Sequence, residues 1–201
     1  MGAAVGDTEN NSGRRSVMLD DDVRVRCSTG NGAKNGSTVS VVEYGVGDVI
    51  HKTVINFAST PVTVANTTGA SFGNVKVYDF PEGRIGVLGA TTSLSFNWAG
   101  TDIAATGSGD FSFGTTGTAD ATLSTTDVDI IPSSAMLDPF VAGVGTGTGA
   151  LAASAQFDGT STAKDVYINI IIDDADVADG ASDIVLVTGS LTVTWINLGD
   201  Y

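Results

Sequence analysis

Catalysis in this chain would have to start from one histidine, one cysteine and a surplus of carboxylates. His51 is separated from Ile55 and Phe57 by even numbers of residues, so in a strand the three share a face. A half-buried structural imidazole is the expectation, and no catalytic dyad is assigned to it. Cys27 has no second cysteine with which to bridge, which excludes a secreted disulfide framework, and it reads as a small inert side chain. The run Asp173, Asp174, Asp176, Asp179 and Asp183 carries the oxygen chemistry that hard cations take, but not the EF-hand spacing. Counted from Asp174, the third ligand position is Ala178, the glycine position is Asp179 and the final bidentate position is Val185. A solvated loop between two strands is expected there, with a calcium site of another geometry as the alternative. Asp127 with Asp129, or Glu82 with any aspartate, has the residue types of a glycosidase pair. Carboxylates are too common here for that pairing to carry weight. Trp98 and Trp195 have faces on which a sugar ring stacks, yet both are in phase with aliphatic neighbours and belong in a core. No catalytic residue, cofactor or metal is assigned, and no turnover is expected.

The elements that would hold such residues are strands. In Asn74 to Trp98, Val75 and Val77 alternate with Asn74 and Lys76, and a Phe80-Pro81-Glu82-Gly83 turn leads into Ile85 and Val87, which predicts an antiparallel hairpin. Pro81 presets φ within the turn, and Gly83 accepts an exit conformation that a Cβ would resist. Leu94, Phe96 and Trp98 then oppose Ser93, Ser95 and Asn97, a sheet with one wet side. Strands are also predicted at Val39 to Tyr44, Val49 to Phe57, near Phe111 and Phe113, at Ala121 to Ser124, Val128 to Ile131, Leu151 to Phe157, Val166 to Ile172 and Ile184 to Leu198. Val166 to Ile172 is nearly all apolar and so buried on both faces. Gly189 marks a bulge or bend. Ser133 to Gly149 reads as a long loop. No stretch has sustained helical periodicity with caps, so helix should be scarce. About ten short strands separated by Gly-rich turns predict an all-β fold, a two-sheet antiparallel sandwich with jelly-roll-like wiring.

Residues 1–36 hold little that would form a core and are read as an extended N-terminal arm, with residues 37–201 as the sandwich domain. Such an arm becomes ordered when something else holds it, and neighbouring subunits are the expected holder. Arg14, Arg15, Arg24 and Arg26 are its candidate partner-binding residues, because planar guanidinium groups suit bidentate carboxylate contacts. A solvated basic tail is the bland alternative. The formal charge of −14 is uneven: residues 85–201 carry Lys164 against fourteen aspartates, while residues 1–84 are nearly balanced. So acidic a second part repels phosphates and anionic lipid, which disfavours nucleic acid and membranes as partners. No signal-like apolar segment is present, and synthesis is expected to end in the cytoplasm.

The string VYDFPEGRIGVLGATTSLSF and the ending LTVTWINLGDY resemble structural proteins of tailed bacteriophage virions, in particular small β-rich capsid cement or decoration proteins. The resembling segments, Asn74 to Phe96 and Asp165 to Tyr201, cover under a third of the chain. The resemblance implies a virion protein on the outer capsid surface that cements neighbouring subunits, with the major capsid protein and other copies of itself as partners. It implies a homotrimer, since cement proteins often fill the three-fold positions of a shell. A carbohydrate-binding or adhesive β-sandwich is the alternative from another class, and a tail tube or fibre subunit is another within the virion class.

Overall fold

The computed structural model describes residues 16–19, 23–26, 38–46, 50–66, 71–98, 102–104, 108–136, 144–151, 155–173, 176–178 and 180–199. Twelve strands run through them: β1 (Ser16–Leu19), β2 (Val23–Arg26), β3 (Val39–Val46), β4 (Ile50–Asn66), β5 (Ser71–Asp79), β6 (Gly83–Trp98), β7 (Gly109–Gly114), β8 (Ile131–Ala135), β9 (Val144–Ala150), β10 (Ala155–Gly159), β11 (Asp165–Ile172) and β12 (Ser182–Asn197). Every pairing is antiparallel. One helical element is a 3-10 turn at Thr125–Asp127.

The first sheet runs β3, β4, β12, β6, with β10 and β9 sharing the far edge of β6 along residues 83–87 and 91–97. The second runs β5, β11, β7, β8. They join at one corner, where Ala65 and Asn66 of β4 pair with Phe72 and Ser71 of β5. Nested pairs give the wiring. β7 pairs with β8, β6 with β9 and β10, β5 with β11, and β4 with β12, and successive pairs fall in alternate sheets. That winding of a two-stranded ribbon around two layers is a jelly roll.

Alternation along each strand builds the core between the layers. From the first sheet come Ile55, Phe57, Val62, Val64, Leu94, Phe96, Val185, Leu191 and Trp195, and from the second Phe111, Phe113, Ile131, Ile168 and Ile170, all buried. Rings meet across the gap: Phe57 and Phe113 at 5.9 Å between centroids, Phe96 and Phe111 at 5.2 Å.

Several expectations are corrected. The Phe80 to Gly83 turn does not close a hairpin, because β5 pairs with β4 and β11 while β6 pairs with β12, β9 and β10. It carries the chain from one sheet to the other. The cause is Phe80, which is buried edge-on against Trp195 and Tyr78, both at 5.3 Å, and pulls the turn inward. Gly83 has φ +122, and a Cβ there would stand 2.5 Å from Asn197 Oδ1, so the reading of the turn residue holds while the pairing differs.

Ser133 to Gly149 is not wholly loop, since it includes most of β8 and nearly all of β9. In β9, glycine means close approach: a Cβ on Gly147 would sit 2.3 Å from Phe111 Cε1, and one on Gly149 2.5 Å from Ile131 Cγ2. The strand packs its own backbone on the opposite sheet, and its composition imitates a loop. The strand expected at Val128 to Ile131 starts at Ile131 and continues through Pro132, which lies on an outermost strand at an irregular point of the ladder, where no N–H is required. Residues 121–124 precede the 3-10 turn and are not a strand.

Strands also begin earlier than Ser37. β1 and β2 form a short antiparallel pair, and β2 adds to the edge of β3. The bulge expected at Gly189 is present as a register shift against β4.

Candidate functional site

On β4 the inward positions are His51, Thr53, Ile55 and Phe57, and the end of that row is polar. Gly45 is the residue opposite His51 on β3, so the imidazole leans over it to Glu43 on the same face, with Nδ1 at 2.8 Å from Oε1. A carboxylate only accepts, which assigns the hydrogen to Nδ1. On its other side His51 lies opposite Trp195 of β12 and stacks on the indole at 4.1 Å and 11°. Trp195 Nε1–H donates to Thr53 Oγ1 at 2.8 Å. Tyr78 approaches from the second sheet and also hydrogen-bonds Thr53. Burial, and then the Glu43 carboxylate, push its phenol well above the ordinary range. With His51 13% and Glu43 20% exposed, the cluster ties together β3, β4, β12 and β5 at one end of the sandwich. The half-buried imidazole expected at His51 is there, beside a carboxylate that no spacing along the chain pairs with it.

At another end the acidic loop between β11 and β12 meets the loop between β6 and β7 through an isolated bridge, Ile103 to Val177. Ser108 is its hub. The hydroxyl donates to Asp173, and the backbone N–H donates to Asp176 Oδ2 at 2.8 Å. Asp183, 6% exposed, accepts from the N–H of Ile103 at 3.3 Å and of Ile184 at 2.7 Å. These carboxylates hold loop to loop. Asp110 nearby is raised above the usual carboxylate range by burial and by the charge of Asp173. Asp174 and Asp179 lie outside the described residues. Among the described residues no three metal-ligating side chains gather.

Asp127 and Asp129 are not poised across a groove from one another. Asp129 accepts from the N–H and the hydroxyl of Thr115 at 2.8 and 2.6 Å, and Asp127 accepts from the hydroxyl of Thr116 at 2.7 Å. Burial raises Asp129, and the two Thr115 bonds oppose the rise. Beneath them Asn169 of β11, fully buried, donates through Nδ2 to the carbonyls of Thr116 and Asp127 and accepts the N–H of Thr118 at 2.8 Å. Residues 115–130 thus form a cover locked onto the outer face of the second sheet. The cover buries Asn169, whereas Asp165, Tyr167 and Ile171 on the same side of β11 are half-buried, so the strand expected to be buried on both faces is so only beneath the cover.

Trp98 and Trp195 are 6% and 1% exposed, so neither offers a face to a sugar ring, and the carbohydrate alternative loses the aromatic platform proposed for it. The Gly69-Ala70-Ser71-Phe72-Gly73 string matches a nucleophile-elbow spacing, but Ser71 is fully buried and opens strand β5, where an elbow needs a helix. Arg14, Arg15 and Cys27 lie outside the described residues. Arg24 and Arg26 lie in β2, whose backbone pairs with β3 opposite Gly45 and Glu43.

The feature that sequence reasoning missed is a whole face. On the solvent side of the first sheet, the outward positions of β3, β4, β12 and β6 carry no carboxylate, and Lys52 and Arg84 are their charged side chains. Ser and Thr share the rest with aliphatic residues and glycine, and the exposed Asp158 of β10 stands opposite Arg84 on the same face. The signal was legible in the alternation of TTSLSFNW and LTVTW, but which strands lie side by side was not. No known family, curated protein or solved structure matches the chain.

Proposed function

We propose that the protein is a structural component of a virion, one that binds the outer surface of a phage capsid and cements neighbouring subunits, with the major capsid protein and further copies of itself, in a homotrimer, as its partners. The observation that carries this reading is the division of charge across the sandwich. Carboxylates lie on the outer side of the second sheet and at the loop end, while the opposite face is dotted with aliphatic side chains and carries one exposed carboxylate, Asp158 of β10, opposite Arg84. A body with one solvated acidic side and one nearly neutral side is suited to lying on a surface, with its charge toward water. The jelly roll agrees with this, since viral capsid domains use it, but lectins and cupins do too, and a fold by itself assigns no function. The likeness of VYDFPEGRIGVLGATTSLSF and LTVTWINLGDY to phage cement proteins adds the particular role. On this reading the protein is made in the host cytoplasm and works on the capsid surface, and its polar clusters serve as fasteners.

Cementing acts by mass action: a ligand that binds only the assembled lattice stabilises it, and several attachment points raise the effective affinity. The test compares empty shells with and without the protein for rupture by heat and by low ionic strength. Later rupture with the protein is expected; equal rupture overturns the cement role.

A further inference from the structure

Asn74 of β5, Asn169 of β11 and Ser112 of β7 stand directly opposite one another on three neighbouring strands, in a single row on the outer side of the second sheet. All three bond the backbone of the cover. Asn74 Nδ2 donates to the carbonyl of Thr118 at 2.9 Å, Ser112 Oγ donates to that of Asp127 at 2.7 Å, and Asn169 bonds Thr116, Thr118 and Asp127. From Thr115 to Asp129 the cover adds no apolar side chain to the hydrophobic core, which resumes at Ile130. It is also braced within itself. Asp129 closes on Thr115 at its base, Thr116 Oγ1 lies 2.8 Å from Thr126 Oγ1, and the hydroxyl of Thr118 donates to the carbonyl of Asp120 at 2.7 Å. A compact loop whose ends meet and whose own groups hold it together is an Ω-loop.

We propose that this cover is a strap, which opens from the row Asn74, Asn169 and Ser112 and closes on it as a unit while the sandwich stays folded. Opening wets amide and hydroxyl groups on both surfaces and lets water replace their bonds. The step therefore costs the small net worth of those hydrogen bonds and exposes no apolar side chain of the core. Ile130 fixes the base: its buried side chain and its N–H, 3.1 Å from the carbonyl of Phe113, stay with the sandwich. Thr125 adds a bias toward opening, because its φ of +52 is a left-handed conformation in which a β-branched residue is strained. Segments with few apolar contacts open at a lower free energy than the strands beneath them.

Hydrogen exchange on the full chain, followed amide by amide by NMR at low denaturant concentrations, tests this. The N–H of Thr118, bonded to Asn169, reports the strap, and that of Leu191, on β12 between β4 and β6, reports the sandwich. Thr118 is expected to exchange at least about tenfold faster than Leu191 and nearly independently of denaturant, as in a local opening. Ile55→Val weakens the core in both the closed and the open state, so it should speed Leu191 by roughly two- to tenfold and leave Thr118 unchanged. Asn74→Ala, at an exposed position, should speed Thr118 about fivefold, the worth of one hydrogen bond. Thr125→Asn, which tolerates left-handed backbone, should slow it. Thr118 exchange with the rate and denaturant slope of Leu191, or accelerated equally by Ile55→Val, overturns the strap, because the cover then opens only when the whole protein unfolds. Fast local exchange that Asn74→Ala leaves unchanged overturns the row as its attachment.

Discussion

Two polar side chains on neighbouring strands of the second sheet give opposite expectations on substitution. Asn169 makes three hydrogen bonds from a fully buried position, so Asn169→Ala leaves two carbonyls and one N–H without their partner. An unsatisfied buried polar group costs about 1 to 3 kcal/mol, and a loss of roughly 3 kcal/mol is expected by denaturant unfolding. A change below about 1 kcal/mol would mean that the cover is not held by this residue. Asp110 is the reverse case. Its folded carboxyl is raised above the usual range by burial and by Asp173, so the folded state is penalised once the group ionises. The penalty is absent below the unfolded value, about 3.9, and appears as pH rises through the folded one. Asp110→Asn should therefore raise the melting temperature at pH 7 by roughly one or two degrees, and the gain should vanish near pH 3.5. A gain of equal size at both pH values would refute the electrostatic cause. Lys76 is raised as well: burial opposes its charge, but bonds to Asp165 and Asp79, each at 2.7 Å, outweigh it.

Strands with a side-chain alternation were legible in the sequence, and strands made of backbone were not. Leu94, Phe96 and Trp98 against Ser93, Ser95 and Asn97, and Leu191, Val193 and Trp195 against Thr192 and Thr194, announce both strand and buried face, and the structure buries those sides. β9 has no such pattern, because its contact surface is glycine. A local pattern also cannot say which strands pair, so the turn after β5 looked like a hairpin although it crosses between sheets. Of the polar clusters, His51 was legible through its parity with Ile55, but Glu43 and Trp195 reach it by register across two ladders, which no spacing in the chain encodes. The account of β9 makes a paired prediction. Gly147→Val should destabilise by at least about 2 kcal/mol, because its Cβ collides with Phe111, a ring already wedged against Phe96 and Phe113. Gly89→Thr in β6, with nothing within 4 Å of a Cβ, should be neutral or stabilising, since β-branched residues suit strands. Unfolding curves for both variants compare the two directly, and equal losses would show that close approach is not what β9 uses glycine for.

At the scale of the molecule, the core is built by strands β3 to β12. Every buried side chain of the described core belongs to Val39 or to a later residue, and β4, β12 and β6 lie inside the first sheet whether or not β2 is attached. Removing residues 1–36 should therefore leave a cooperative melting transition, lowered by the pairing that β2 adds to β3. It would also turn β3 into an outer edge with unpaired N–H and C=O groups, which invites pairing with other chains. If Arg14, Arg15, Arg24 and Arg26 meet carboxylates on neighbouring subunits, the truncated protein should in addition bind shells more weakly by several kcal/mol, the scale of a desolvated charge pair that has lost one member. Melting of the truncated chain alone, set beside co-sedimentation with shells, separates the two effects. A collapsed transition would make the segment part of the fold, unchanged sedimentation would make it a passenger in attachment, and an intact transition with lost sedimentation is the result expected of a contact arm.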